Sequence, residues 1–220
     1  MKGLSPHTIP VFNAIRNLEI LKDYYLTGGT ALSLQIQNRL SEDLDFCKWQ
    51  DDPAISNAEV EWPSIESELR KLGNVKTEIL DLRQVDFLVN GVKVSFYSNG
   101  IANSRGIASD LNFDRIRPVN LLSLGAMKLE VMSRRSAFRD YYDVYSLIRA
   151  GTDIKEMVQL CTNYSRHRMS TKMILSILSD GDRFKYDEQF ILLEPKYNVR
   201  PADIESYLCG EILKQFGRRD

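Results

Sequence analysis

Two segments decide the fold: Leu26-Thr27-Gly28-Gly29-Thr30-Ala31-Leu32-Ser33-Leu34 and, shortly after it, Arg39-Leu40-Ser41-Glu42-Asp43-Leu44-Asp45-Phe46. Residues 24–27 are aromatic and β-branched enough for a short strand. Gly28 and Gly29 permit a tight turn with backbone angles that other residues resist. Residues 30–38 carry Ala31, Leu34 and Gln35 at helical spacing, with Thr30 near the helix start. Strand, diglycine turn and helix start together aim backbone N–H groups and the positive end of a helix dipole at one point, where an anion such as a phosphate is stabilised.

Residues 39–46 are expected to return as a second strand. Alternation there places Leu44 and Phe46 on a core-facing side and Asp43 and Asp45 on the other. Two like charges side by side cost stability until a cation neutralises them. Magnesium prefers hard oxygen ligands from one or two carboxylates plus substrate phosphates, so Asp43 and Asp45 are the expected metal ligands. Gly28, Gly29 and Thr30, with Arg39 from the second segment, are the expected phosphate-binding residues of a nucleotidyltransferase that takes a nucleoside triphosphate (NTP) with Mg2+.

These segments, together with the later Arg139-Asp140-Tyr141-Tyr142-Asp143-Val144-Tyr145, resemble the AbiEii/AbiGii toxin family of the DNA polymerase β-like nucleotidyltransferase superfamily. The matching segments span residues 24–149. The resemblance implies an α+β fold, with an N-terminal polymerase β-like mixed sheet and flanking helices followed by a helical C-terminal unit. It further implies a toxin of a toxin–antitoxin or abortive-infection system, and a catalytic lysine and aspartate in the later motifs. In this chain those are Lys128 and either Asp143 or Asp140. An RNA acceptor, such as the tRNA 3′ end, and a cognate antitoxin as partner follow from the same resemblance.

The third carboxylate that many polymerase β-like enzymes carry is the point of departure. Residues 77–83, 85–89 and 92–97 are expected to be antiparallel strands, with Asn90-Gly91 as a two-residue hairpin turn. Such a turn pairs Val89 with Val92, Phe87 with Val94 and Asp86 with Ser95. Ser95 then stands where a third carboxylate is expected, and a hydroxyl is a poor substitute for a charged metal ligand. Asp86, directly across from it, is the candidate replacement. The alternative is that Asp86 is only a polar residue of a hairpin.

Composition is that of an ordinary globular enzyme. Twenty-nine basic and 30 acidic side chains leave a net charge of −1, so overall charge draws the chain to neither nucleic acid nor membrane. Basic residues are locally dense at Arg115, Arg117, Lys128, Arg134, Arg135 and Arg139, and again at Arg166, His167, Arg168 and Lys172. They would form either an RNA-following rim or a solvated helix face paired with Glu130 and Asp140. Three dispersed cysteines and two histidines argue against a structural zinc site or a disulfide framework. With no apolar run long enough to cross a bilayer and no signal-peptide core, the expected location is cytoplasmic.

Further along, Asp51-Asp52-Pro53 should break the second strand, and residues 62–72 should form a helix with Pro63 in its first turn and Gly73 past its end. Residues 98–109 read as a loop. Helices are expected from Asn120 to Arg135, with Leu121, Leu124, Met127 or Lys128, and Val131 along its apolar side, and then over 138–149, 153–164, 170–178 and 201–216. Residues 181–200 read as irregular. Two units follow, an α/β core over residues 1–110 and a helical domain over 111–220 completing the cleft. Two other functions compete: a nucleotide-binding module weakened in catalysis, and a transferase acting on a small molecule of the aminoglycoside type.

Overall fold

The computed structural model describes residues 1–50, 59–100, 107–164 and 169–217. The Asp51-Asp52-Pro53 break, the basic run at 166–168 and half of the 98–109 loop lie outside the described residues. The chain divides into two compact units, Met1–Asn120 and Leu121–Asp220.

The first unit is built on a five-stranded sheet: β1 (Tyr25–Thr27), β2 (Leu44–Gln50), β3 (Val75–Leu80), β4 (Gln84–Val89) and β5 (Val92–Gly100), in the order β1-β2-β5-β4-β3. β2 runs antiparallel to β1 and parallel to β5, and the other neighbours are antiparallel, so the sheet is mixed. Helix α1 (Thr8–Ile15) precedes the sheet, α2 (Gly28–Ile36) joins β1 to β2, and α3 (Trp62–Arg70) follows β2.

The hairpin between β4 and β5 has the expected register, with Val89 opposite Val92, Phe87 opposite Val94 and Asp86 opposite Ser95. Asn90 at φ +49° and Gly91 at φ +85° supply the two positive-φ residues that a tight hairpin turn needs. One face of the sheet is apolar and buried. Phe46 stacks on Phe96 at 5.2 Å, Phe96 meets Tyr24 edge-on at 5.1 Å, and Val85, Phe87 and Val94 join them.

Several boundaries differ from expectation. The α2 helix begins at Gly28 rather than Thr30, because Gly28 takes the positive φ of +66° that lets strand run straight into helix. It ends at Ile36, closed by Gln37 in the left-handed region. β2 starts at Leu44, not Arg39, since residues 39–43 are occupied with α2 and with a bridge between Leu4 and Ser41. It then continues to Gln50 because β5 offers a partner along that whole length. For the same reason residues 98–100 are strand rather than loop. The sequence reading passed over α1, whose Val11, Phe12 and Ile15 are buried.

The second unit is helical: α4 (Leu121–Arg134), α5 (Phe138–Arg149), α6 (Ile154–Tyr164), α7 (Thr171–Leu178) and α8 (Pro201–Phe216). Ser170 caps α7 by accepting the Met173 N–H at 3.2 Å. Two 3-10 turns, Gly181–Arg183 and Glu188–Leu193, lie in the segment expected to be irregular. The buried stripe of α4 is Leu124, Gly125, Lys128, Leu129 and Met132, whereas Leu121, Met127 and Val131 are only half-buried. The stripe is rotated because α4 packs closely on a neighbour: a Cβ at Gly125 would come within 2.7 Å of the Met157 Cε of α6. The core is rich in aromatic residues, with Tyr141 stacked on Phe184 at 4.3 Å and Tyr142 edge-on to Phe190 at 4.8 Å.

Candidate functional site

The candidate site of the first unit lies where β1 enters α2, beside the start of β2. Pairing sets Thr27 opposite Asp45, so the residue before the diglycine and the second aspartate are neighbours across the ladder. The Thr27 hydroxyl donates to the Asp45 carbonyl at 3.1 Å and lies 2.7 Å from the Tyr97 hydroxyl. The Asp45 carboxylate rests against Gly28, close enough that an added Cβ there would overlap its Oδ2.

Gly29 is flanked in the same way. A Cβ on it would come within 2.5 Å of the Arg39 Nη2, and the buried Arg39 guanidinium also donates to the Leu40 carbonyl at 2.9 Å. The Thr30 hydroxyl is engaged within the fold, toward the Asp43 carbonyl and the Ser41 Oγ. It fixes the Asp43 backbone to the first turn of α2. Gly28, Gly29, Thr30, Arg39, Asp43 and Asp45 therefore converge on one helix start. The first-turn N–H groups of a helix have no intrahelical acceptor and carry its positive pole, which suits an anion.

Parallel pairing puts Asp45 beside Ser95, and antiparallel pairing puts Ser95 beside Asp86. The three form one row across β2, β5 and β4 and share a face of the sheet. Asp86 is 1% exposed. Its Oδ1 accepts from the Gln84 amide at 3.0 Å, and its Oδ2 lies 2.8 Å from the Lys93 Nζ. Burial would push the Asp86 carboxyl up. The hydrogen bonds from Lys93 and Gln84 and the Lys93 charge outweigh it and hold the group below the ordinary aspartate range. Among the described residues no three acidic, histidine or cysteine side chains gather around a common point to hold a metal.

The sequence reading did not single out Lys93. Its signal was parity: Lys93 lies two residues before Ser95 on one strand and so shares the polar face. The Asp86 hydrogen bond raises the Lys93 pKa, and the charges of Asp86, Asp45 and Asp43 add to that effect.

In the second unit, Lys128 is buried, and its Nζ lies 2.8 Å from Asp140 Oδ1 and 2.7 Å from Asp143 Oδ2. Both aspartates contact the lysine. Arg135 adds a bidentate contact to Asp140, with Nε to Oδ2 at 2.7 Å and Nη2 to Oδ1 at 3.1 Å. Burial alone would raise the Asp140 pKa, but the two cations dominate and lower it. The arrangement is a closed ionic cluster on facing turns of α4 and α5.

The described basic residues have different partners. Arg115 pairs with Glu19 at 2.6 Å, Arg117 lies over the Tyr25 ring at 4.3 Å, and Lys128 and Arg135 belong to the buried cluster. No helix among the described residues is long and apolar enough to cross a membrane.

The model of a family described as nucleotidyl transferase AbiEii toxin, type IV TA system, matches residues 15–208. An uncharacterized protein of Aquifex aeolicus (strain VF5) is 29% identical over 163 residues, covering 73% of this chain and 75% of that protein. Among solved structures, the chain is similar to MenT4, a nucleotidyltransferase toxin from Mycobacterium tuberculosis H37Rv. The TM-score is 0.49 at 15% identity, covering 93% of this chain and 81% of that one. The Megavirus polyadenylate synthase aligns with TM-score 0.42 at 14% identity over 64% of this chain, which spans only 30% of that enzyme.

Proposed function

The chain belongs to the AbiEii nucleotidyltransferase toxin family of type IV toxin–antitoxin systems, and on that premise we propose that it transfers a nucleoside monophosphate from an NTP to an RNA hydroxyl, with the tRNA 3′ end as the acceptor. The observation that carries this reading is the Asp45 carboxylate lodged against Gly28 at the start of α2. A carboxylate for a divalent cation and a helix start for phosphate oxygens are thereby adjacent.

Asp43 and Asp45 are hard oxygen donors beside a cleared backbone, a set that fits magnesium. Bound there, magnesium supplies neutralisation of charge on the phosphates and lowers the pKa of the attacking hydroxyl. The backbone of Gly28, Gly29 and Thr30 orients the β- and γ-phosphates, with the Arg39 guanidinium alongside. The acceptor oxygen forms a bond to the α-phosphorus as the bond from that phosphorus to the bridging oxygen breaks. Pyrophosphate leaves with the electron pair, and the hydroxyl proton passes to solvent. Lys128 and Asp143 are assigned a catalytic role by family resemblance, supported by the buried contact between them. An RNA acceptor sets the reaction in the cytoplasm, under the control of a cognate antitoxin.

Incubation with each labelled NTP, Mg2+ and total RNA tests the reading, with Asp43→Ala/Asp45→Ala as control. Label on RNA that disappears in the control is the expected result. Label on an aminoglycoside instead of RNA would replace the acceptor. A second reading rests on Ser95 in the row between Asp45 and Asp86: a module that binds NTP and transfers nothing. NTP binding by calorimetry without label on any acceptor would favour it.

A further inference from the structure

Lys93 and Asp86 stand on the same sheet face as Asp45, yet the phosphate-and-metal reading of residues 28–45 gives neither a task. Asp86 is almost wholly shut from solvent, and each of its oxygens already faces a donor, Gln84 at 3.0 Å and Lys93 at 2.8 Å. Divalent magnesium dehydrates reluctantly and keeps several waters. A buried carboxylate held from both sides suits such an ion badly and suits a tethered ammonium well.

Lys93 has the complementary character. Its side chain is 44% exposed while that of Asp86 is 2% exposed, so the anchor is buried and the lysine is open to solvent along part of its length. Surface pairs such as Lys71 with Glu68 contribute little because both partners are solvated. An ammonium held by a buried carboxylate keeps one position. It also carries three N–H donors, so one that serves Asp86 still has donors for a phosphate oxygen.

Charge balance points the same way. Asp45 and Asp86 are two negative charges on one face, and Asp43 lies just ahead of β2, an environment that repels a polyphosphate. Lys93 offsets Asp86, and a single divalent ion at Asp43 and Asp45 offsets the remainder. Those two aspartates also act on the Lys93 ammonium electrostatically.

We propose that Lys93 is a polyphosphate-binding residue of this site and that Asp86 is the carboxylate that positions it, acting through the lysine rather than through the metal. The inference rests on the NTP-binding reading above and deepens it.

Equilibrium binding of inorganic tripolyphosphate, by calorimetry with and without Mg2+, tests the lysine. Lys93→Met is expected to weaken binding about tenfold or more, the loss of one charge-assisted hydrogen bond. Lys93→Arg keeps the charge and is expected to stay within about threefold of wild type. Binding of Mn2+ to phosphate-free protein, followed by electron paramagnetic resonance, tests the carboxylate. Asp86→Asn is expected to leave Mn2+ affinity unchanged and Asp45→Asn to abolish it. Unchanged tripolyphosphate affinity in Lys93→Met overturns the role of Lys93. Loss of Mn2+ in Asp86→Asn matching that in Asp45→Asn makes Asp86 a metal ligand and overturns its role as anchor. Wild-type protein that binds no tripolyphosphate in either condition sinks the NTP reading together with this one. Wild-type binding without RNA labelling sinks only the transfer step.

Discussion

The Asp45 carboxylate packs against the Cα of Gly28, so that any side chain at residue 28 overlaps it. Gly28 also takes a φ of +66°, where an L side chain is strained. One residue thus meets two demands, turning the chain from β1 into α2 and leaving room for the aspartate.

Gly28→Ala is therefore expected to cost about 1–2 kcal/mol from backbone strain alone, with a further loss from displacing Asp45. Transfer activity should fall more than stability, because the displaced group is the proposed metal ligand. Gly29→Ala meets the far end of the Arg39 side chain and, at 3.2 Å, the Ser41 Oγ, with no positive φ to strain it, and should be milder. Urea denaturation beside label-transfer assays checks both, and a Gly28→Ala variant as active as wild type contradicts the site.

Asp43→Asn and Asp45→Asn should each lower transfer by more than about 100-fold, since removing a ligand exceeds the cost of disturbing an outer partner. Circular dichroism should show the fold retained. Turnover within a few-fold of wild type in either variant would remove these residues from the mechanism.

Lys128→Met takes the cation from between two buried carboxylates. Breaking a buried ion pair from one side costs about 3–5 kcal/mol, and Arg135 on Asp140 should hold this case near the lower end. Chemical denaturation measures it. A change below about 1 kcal/mol would mean that the cluster opens readily to water.

Asp140 gives the helical unit a pH-dependent contribution to stability. Its folded pKa lies below the ordinary aspartate value, so its contribution is complete above about pH 4. It is lost as pH falls through the lower folded value, when protonation breaks the contacts to Lys128 and Arg135. Denaturation between pH 7 and pH 2 should show this decline, and Asp140→Asn should flatten it while lowering stability near neutrality.

The parts legible in the sequence are those with local causes. Asn90-Gly91 dictates a tight turn, and a two-residue turn admits one register, which is why Asp86 faces Ser95 as expected. Gly28 and Gly29 announce a strand-to-helix junction for similar reasons. Pro201 opens the last helix, and Phe138–Arg149 is bounded as its periodicity indicates.

What the sequence alone determined about this protein is thus its family, its main elements, the β4–β5 register and the strand-to-helix junction at the diglycine. The tertiary structure decided that β2 lies parallel to β5, which sets Asp45 in a row with Ser95 and Asp86. It also decided that Lys128 is buried between Asp140 and Asp143, and that Lys93 answers Asp86. Turns and helix ends follow from the φ preferences and hydrogen bonds of adjacent residues. Which charges are desolvated, and by which partner each is neutralised, depends on segments distant in the chain that meet only after folding.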